Sequence, residues 1–136
     1  MFLTSIKILV LDDMPTIRDL VKNQLKDMGY KNIIMGEDGI IGWRLFNEAI
    51  DAGAPYDLII SDWMMPNMKG LDFLKLVRSH PKMSKTPFIL LTSESERDQV
   101  TEAVLAGVSN YIVKPFSPKS FEEKLRAVWK KISGVK

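Results

Sequence analysis

Residues 6–15 read Ile6-Lys7-Ile8-Leu9-Val10-Leu11-Asp12-Asp13-Met14-Pro15. A nearly continuous apolar run ends abruptly in two acids and a proline. Such a run, without polar alternation, marks a strand buried on both faces, as parallel sheets require. Asp13 and Pro15 read as a helix start, a cap-type residue and then a proline in the first turn, where its missing N–H does no harm. Ile17, Leu20, Val21, Leu25 and Met28 follow at steps of three and four, and Gly29 closes the helix.

The same strand-then-helix unit recurs four times along the chain. Residues 32–35 form a short strand, followed by a helix from about Ile40 to Ala52 with Ile41, Leu45, Phe46 and Ala49 on one face. Gly53-Ala54-Pro55 breaks it. Residues 57–61 are the third strand, and its helix holds Leu71, Leu74 and Val77. Residues 81–87 read as loop. Residues 88–91 are the fourth strand, with Val100, Ala103 and Val104 on its helix and Gly107 as the stop. Residues 111–113 are the fifth, and a last helix after Ser117-Pro118 carries Phe121, Leu125, Val128, Trp129 and Ile132. Strands alternating with helices predict a parallel sheet covered on both faces. Right-handed crossovers then favour an α/β, doubly wound, flavodoxin-like sheet of five strands in the order 2-1-3-4-5 with five helices.

Composition is compatible with this. The 136 residues are 46% hydrophobic and 26% charged with a net charge of +2, which suits one globular domain and excludes a disordered tail. No apolar run reaches membrane-spanning length, and Lys7 and the following acids argue against a secretory signal. The absence of cysteine excludes a disulfide framework, a zinc ribbon and a thiol nucleophile. The one histidine, His80, stands before Pro81 in an expected loop and gives no multi-histidine metal site. The charge is uneven, with residues 1–113 at −3 and residues 114–136 at +5. The basic tail reads equally as a docking surface for an acidic partner segment or as a solvated helix face, and the weak overall charge argues against nucleic-acid binding.

In open α/β sheets, ligand sites gather beyond the carboxyl ends of the strands. Asp12 and Asp13 follow the first strand, Asp62 the third, Thr92 and Ser93 the fourth, and Lys114-Pro115 the fifth. Taken singly, Asp13 reads as a helix cap, Asp62 as a turn acid, Thr92 or Ser93 as a cap of the fourth helix, and Lys114 as a solvated strand end. Together they put three mutually repelling carboxylates on one edge, which a structural role would not require. A divalent cation with a phosphoryl group resolves the conflict. Mg²⁺ takes one or two carboxylates plus water and phosphate oxygens, and a carboxylate can attack phosphorus to form an aspartyl-phosphate.

Four segments carry a family resemblance: residues 9–13, residues 61–70 (Ser-Asp-Trp-Met-Met-Pro-Asn-Met-Lys-Gly), residues 91–94, and residues 107–116 (Gly-Val-Ser-Asn-Tyr-Ile-Val-Lys-Pro-Phe). In that order they resemble the receiver domain of two-component response regulators, most closely its single-domain chemotaxis (CheY) type. The resemblance spans essentially the whole chain. It implies one receiver domain over residues 1–136 with no output domain, working in the cytoplasm as a monomer. Asp62 would accept a phosphoryl group from a histidine kinase. Asp13 would bind Mg²⁺ directly, Asp12 largely through water, and the backbone carbonyl of Met64 would be a further ligand. Lys114 would pair with the acceptor carboxylate or the phosphoryl group. Thr92 and Tyr111 would form the switch pair, although the residue pattern alone reads Tyr111 as a half-buried edge-strand aromatic. The Lys114–Pro115 bond would be cis, and Trp63 would stand partly exposed over the site.

The same resemblance implies a partner face that includes Arg97, Val100, Val104, Tyr111 and Lys124. Its target would be the flagellar motor switch protein, with a phosphatase as a further partner. The chain would thus be a phosphoacceptor that catalyses its own phosphotransfer and dephosphorylation, not a conventional enzyme. A stand-alone phosphorelay receiver is the alternative within the class. Some positions depart from the chemotaxis type. Met64 stands where a polar residue is frequent and where the side chain affects phosphotransfer and hydrolysis rates. Met14 and Glu96 also differ, and the second helix and its loop are longer. An Asp-nucleophile phosphohydrolase would need a second acid at the position of Met14, and a flavin carrier would need a Ser/Thr/Gly-rich loop in place of Asp12-Asp13-Met14-Pro15. The glycine fingerprints of dinucleotide and P-loop binders are absent.

Overall fold

The computed structural model describes residues 2–93 and 99–133. Five strands, β1 (Lys7–Leu11), β2 (Asn32–Gly36), β3 (Leu58–Asp62), β4 (Phe88–Thr92) and β5 (Asn110–Val113), form one parallel sheet in the order β2-β1-β3-β4-β5. Five helices alternate with them: α1 (Pro15–Asp27), α2 (Gly39–Asp51), α3 (Gly70–Ser79), α4 (Val100–Leu105) and α5 (Pro118–Ser133). The expected flavodoxin-like architecture is therefore present.

Strand alternation sorts the core into two layers. On one face of the sheet, Leu9, Leu11, Ile59, Phe88 and Leu90 pack with Phe46 and Ala49 of α2, Phe73, Leu74 and Val77 of α3, and Ala103 of α4. On the other, Ile8, Val10, Leu58, Ile60, Ile89 and Leu91 pack with Val21 and Leu25 of α1 and Phe121, Leu125 and Val128 of α5. Central strands β3 and β4 are buried throughout, which is why they read as continuous apolar runs, whereas edge strands β2 and β5 are half exposed.

Some expectations need correction. Trp63 is not exposed over the site; it is 2% accessible and belongs to the α2–α3 layer. The backbone continues the strand pattern past Asp62, with the Trp63 N–H donating to the Leu91 carbonyl (2.9 Å), so alternation sends Trp63 to the face opposite Asp62. Asp13 does not cap α1. Met14 is the N-cap residue and makes no side-chain cap bond, while the Met14 N–H donates to Asp12 Oδ1 at 2.9 Å. Leu20, Val104 and Ile132, expected on buried faces, are exposed. His80 closes α3, its ring edge-on to Trp43 and Phe46 and its Nδ1 accepting from the Lys82 and Met83 N–H groups. Gly29 and Gly107 follow their helices with φ of 98° and 91°, the left-handed turn that ends a helix.

Candidate functional site

The carboxyl ends of β1, β3 and β5 bring the polar residues together. Asp12 follows the last residue of β1 and is fully buried; Asp62 is the last residue of β3 and is 4% accessible; Asp13 is exposed. Each of the three acids can offer one oxygen such that all three oxygens lie within 4.8 Å of one another. Lys114, just beyond β5, places Nζ 3.0 Å from Asp62 Oδ1 and 3.8 Å from Asp12 Oδ2. The Lys114 N–H donates to the Thr92 carbonyl at 2.7 Å, which locks the start of the β5–α5 link against the end of β4. The Lys114–Pro115 bond is cis, as expected.

The site is held by short local bonds. The Trp63 N–H donates to Asp62 Oδ1 (2.9 Å), and Arg18 Nη1 donates to the Asp12 carbonyl (2.8 Å). The Gly70 N–H returns to the Trp63 carbonyl (2.9 Å). A Cβ on Gly70 would collide with the Asp62 carbonyl oxygen, so only glycine lets α3 begin this close to the acceptor strand.

The electrostatics are deliberately unfinished. Burial pushes the Asp12 carboxyl up to about 6; the Met14 N–H draws it down, Asp62 adds repulsion, and Lys114 offsets only part. Burial likewise raises Asp62, against the hydrogen bond and charge of Lys114 and the Trp63 N–H, with Asp13 repelling it further. Asp12 Oδ2 and Thr92 Oγ1 are buried without a hydrogen-bond partner. A buried carboxylate oxygen with no donor, beside two other carboxylates, is a cation ligand in waiting. All-oxygen donors of this kind suit a hard divalent ion. The acidic cluster therefore fits a divalent cation.

These geometric features coincide with the relationship seen by comparison. A family model described as the response regulator receiver domain matches residues 8–126. The chain belongs to the response regulator receiver family. It is 43% identical over 122 residues to the chemotaxis protein CheY1 of Helicobacter pylori, covering 90% of this chain and 95% of that one. It is 35% identical over 128 residues to the chemotaxis protein CheY of Pseudomonas aeruginosa, covering 94% and 99%. The structure of the chemotaxis response regulator CheY4 of Vibrio cholerae superposes with a TM-score of 0.74 at 34% identity, covering 91% of this chain and 98% of that one. This receiver is thus of the CheY type, a phosphorylation-activated response regulator.

Thr92 ends β4, fully buried, and its hydroxyl caps nothing; α4 has Gln99 at its N-cap with no side-chain bond. Met64 is exposed in the loop between β3 and α3. Tyr111 is half-buried in β5, packed on the α2–α3 layer, with Lys124 Nζ 4.7 Å from its ring centre. Val104 is exposed, Val100 and Lys124 half-buried, and Arg97 lies outside the described residues, as does Glu96. Sequence reading missed Asp38, buried at the N-cap of α2, and Asn67, which hydrogen-bonds to it. The signal for Asp38 was its place as a cap-type residue directly before a glycine and an apolar helix.

Proposed function

We propose that Asp62 accepts a phosphoryl group from a histidine kinase with Mg²⁺ bound, and that the modified protein then binds the flagellar motor switch in the cytoplasm. The observation that carries the chemical part is the buried Asp62 carboxylate, paired to Lys114 at 3.0 Å inside a cluster of three acids. Lys114 and the Trp63 N–H both donate to Oδ1, which leaves Oδ2 with free lone pairs for attack on phosphorus. The Oδ2–P bond forms as the P–N bond to the kinase imidazole breaks, and the imidazole nitrogen takes up a proton. Asp12, Asp13, Asp62 and the Met64 carbonyl would hold Mg²⁺. When bound, the ion supplies charge neutralisation at the phosphoryl oxygens. Lys114 then follows the charge onto a phosphoryl oxygen, and the unpartnered Thr92 hydroxyl donates to another.

The chain works as a switch rather than a conventional enzyme, and as a monomer. Thr92 and Tyr111 couple the acceptor to the face made by α4, β5 and α5, where Val100, Val104, Tyr111 and Lys124 meet the target. Kinship with chemotaxis proteins supports the motor as that target. Incubation with a small phosphodonor and Mg²⁺, followed by intact-mass measurement, is expected to show one phosphoryl adduct that Asp62→Asn abolishes. An unmodified wild-type mass with every donor tried overturns the acceptor role. Binding to a peptide of the flagellar switch protein is expected to tighten with a phosphate mimic. Equal binding in both states removes the motor and leaves a receiver in a phosphorelay.

A further inference from the structure

The loop from Trp63 to Lys69 follows the acceptor directly and contains Met64, and in it Met64, Pro66, Asn67 and Lys69 are exposed. Between them, Met65 is buried in the α2–α3 layer and Met68 packs against it, so beyond Trp63 apolar contact holds the loop only at those two side chains. One end is pinned where Gly70 meets the Asp62 and Trp63 carbonyls. The crown is pinned from a different element. Asn67 Nδ2 donates to Asp38 Oδ2 at 2.7 Å, and Asn67 itself sits at φ 68°, a conformation asparagine tolerates better than most residues. Directly beside this bond, the Gly39 N–H donates to the Met68 carbonyl at 3.3 Å, and a Cβ on Gly39 would lie 2.8 Å from that oxygen.

We propose that the Asp38–Asn67 pair is a latch that positions the loop, and with it the Met64 carbonyl, for cation binding. This rests on the reading of Asp62 as the phosphoacceptor. Asp38 is only 6% accessible and divides its two oxygens between two tasks. Oδ1 accepts the Ile41 N–H at 2.8 Å and caps α2. Oδ2 reaches 29 residues along the chain to Asn67. A charge-assisted bond from a buried carboxylate is among the stronger hydrogen bonds available, and here it ties the site loop to the rigid end of a helix. Asp38 and Asn67 are positioning residues, since neither touches the reacting atoms.

Two variants separate the latch from its structural neighbours. Asp38→Ser keeps a side-chain oxygen for the cap but is too short to reach Asn67. Asn67→Gly keeps the left-handed backbone without the amide. Mg²⁺ affinity measured by calorimetric titration is expected to fall about tenfold in each, the scale seen when partners that orient metal ligands are lost. The double variant is expected to be no worse than either single one, because both remove the same bond. Phosphodonor kinetics are expected to need more Mg²⁺ for half-maximal rate while the rate at saturating Mg²⁺ stays near wild type. Amide exchange is expected to speed up over residues 63–69 and not in the strands. Wild-type affinity and wild-type loop exchange in both singles overturn the latch. If instead the unmodified protein forms no adduct, the acceptor reading fails, and metal-free loop exchange alone decides the latch.

Discussion

The two edges of the sheet treat buried charge in opposite ways. At the amino edge, the half-buried Arg78 guanidinium donates to the carbonyls of Gly107 (2.8 Å), Ser84 (3.0 Å) and Thr86 (2.6 Å). Nearby, the Lys7 N–H donates to Asp57 and Lys7 Nζ to the Ala54 carbonyl. These polar groups close the fold by bonding to backbone. At the carboxyl edge, three acids cluster, one lysine pairs with only two of them, and Asp12 Oδ2 and Thr92 Oγ1 are buried without a hydrogen-bond partner. Satisfied charge is what a fold needs; unsatisfied charge is what a ligand needs. The molecule concentrates its electrostatic cost where a cation and a phosphoryl group would relieve it.

Mutation can break this contrast, and the largest effect belongs to the closed edge. Arg78→Met is expected to lower stability by about 3 kcal/mol, because three carbonyls lose a charged donor and methionine offers none. Urea unfolding would show it, and a loss below about 1 kcal/mol would mean that water replaces the guanidinium at little cost.

At the open edge the sign reverses. Without Mg²⁺ at neutral pH, Asp12→Asn is expected to stabilise the protein by about 1–3 kcal/mol, since a buried and repelled charge is removed. The pH dependence follows from the same group. Its folded value of about 6 exceeds the ordinary 3.8, so the folded state holds the proton more tightly. That contribution is fully present below pH 3.8 and is lost as pH rises through about 6. The stability difference between Asp12→Asn and wild type is therefore expected to widen from pH 4 to about 6.5 in metal-free buffer. Saturating Mg²⁺ is expected to shrink it by favouring wild type. A flat difference across that window would show that Asp12 carries no folded-state penalty.

The smallest effect returns to the closed edge. Asp57→Ala removes an exposed acceptor of the Lys7 N–H and is expected to cost about 0.5–1 kcal/mol in thermal unfolding.

The legibility of the two edges also differs. The carboxyl edge could be read because acids stand directly after apolar runs, and strand ends in a parallel sheet converge. Residues 6–13 alone place two of the three acids. The amino edge could not be read so. Arg78 looks like any basic residue in the last turn of a helix. Its three acceptors come from two loops, 6 to 29 residues away, and backbone carbonyls leave no mark in composition. Gly107 was legible as a helix stop, but not as the carbonyl that Arg78 holds. Asp38 and Asn67 were missed for the same reason, and Trp63 was misplaced because strand alternation continues beyond Asp62.

By itself, the sequence determined the architecture and the identity of the acidic cluster. Both follow from local rules: unbroken apolar runs make buried strands, steps of three and four make helix faces, and parallel order sends every strand end to one edge. Only the tertiary structure decided which oxygens are paired and which are left open, which side of the sheet Trp63 occupies, and which distant amide holds the site loop. Those outcomes depend on distances of a few ångströms between groups far apart in the chain, and no local pattern encodes them.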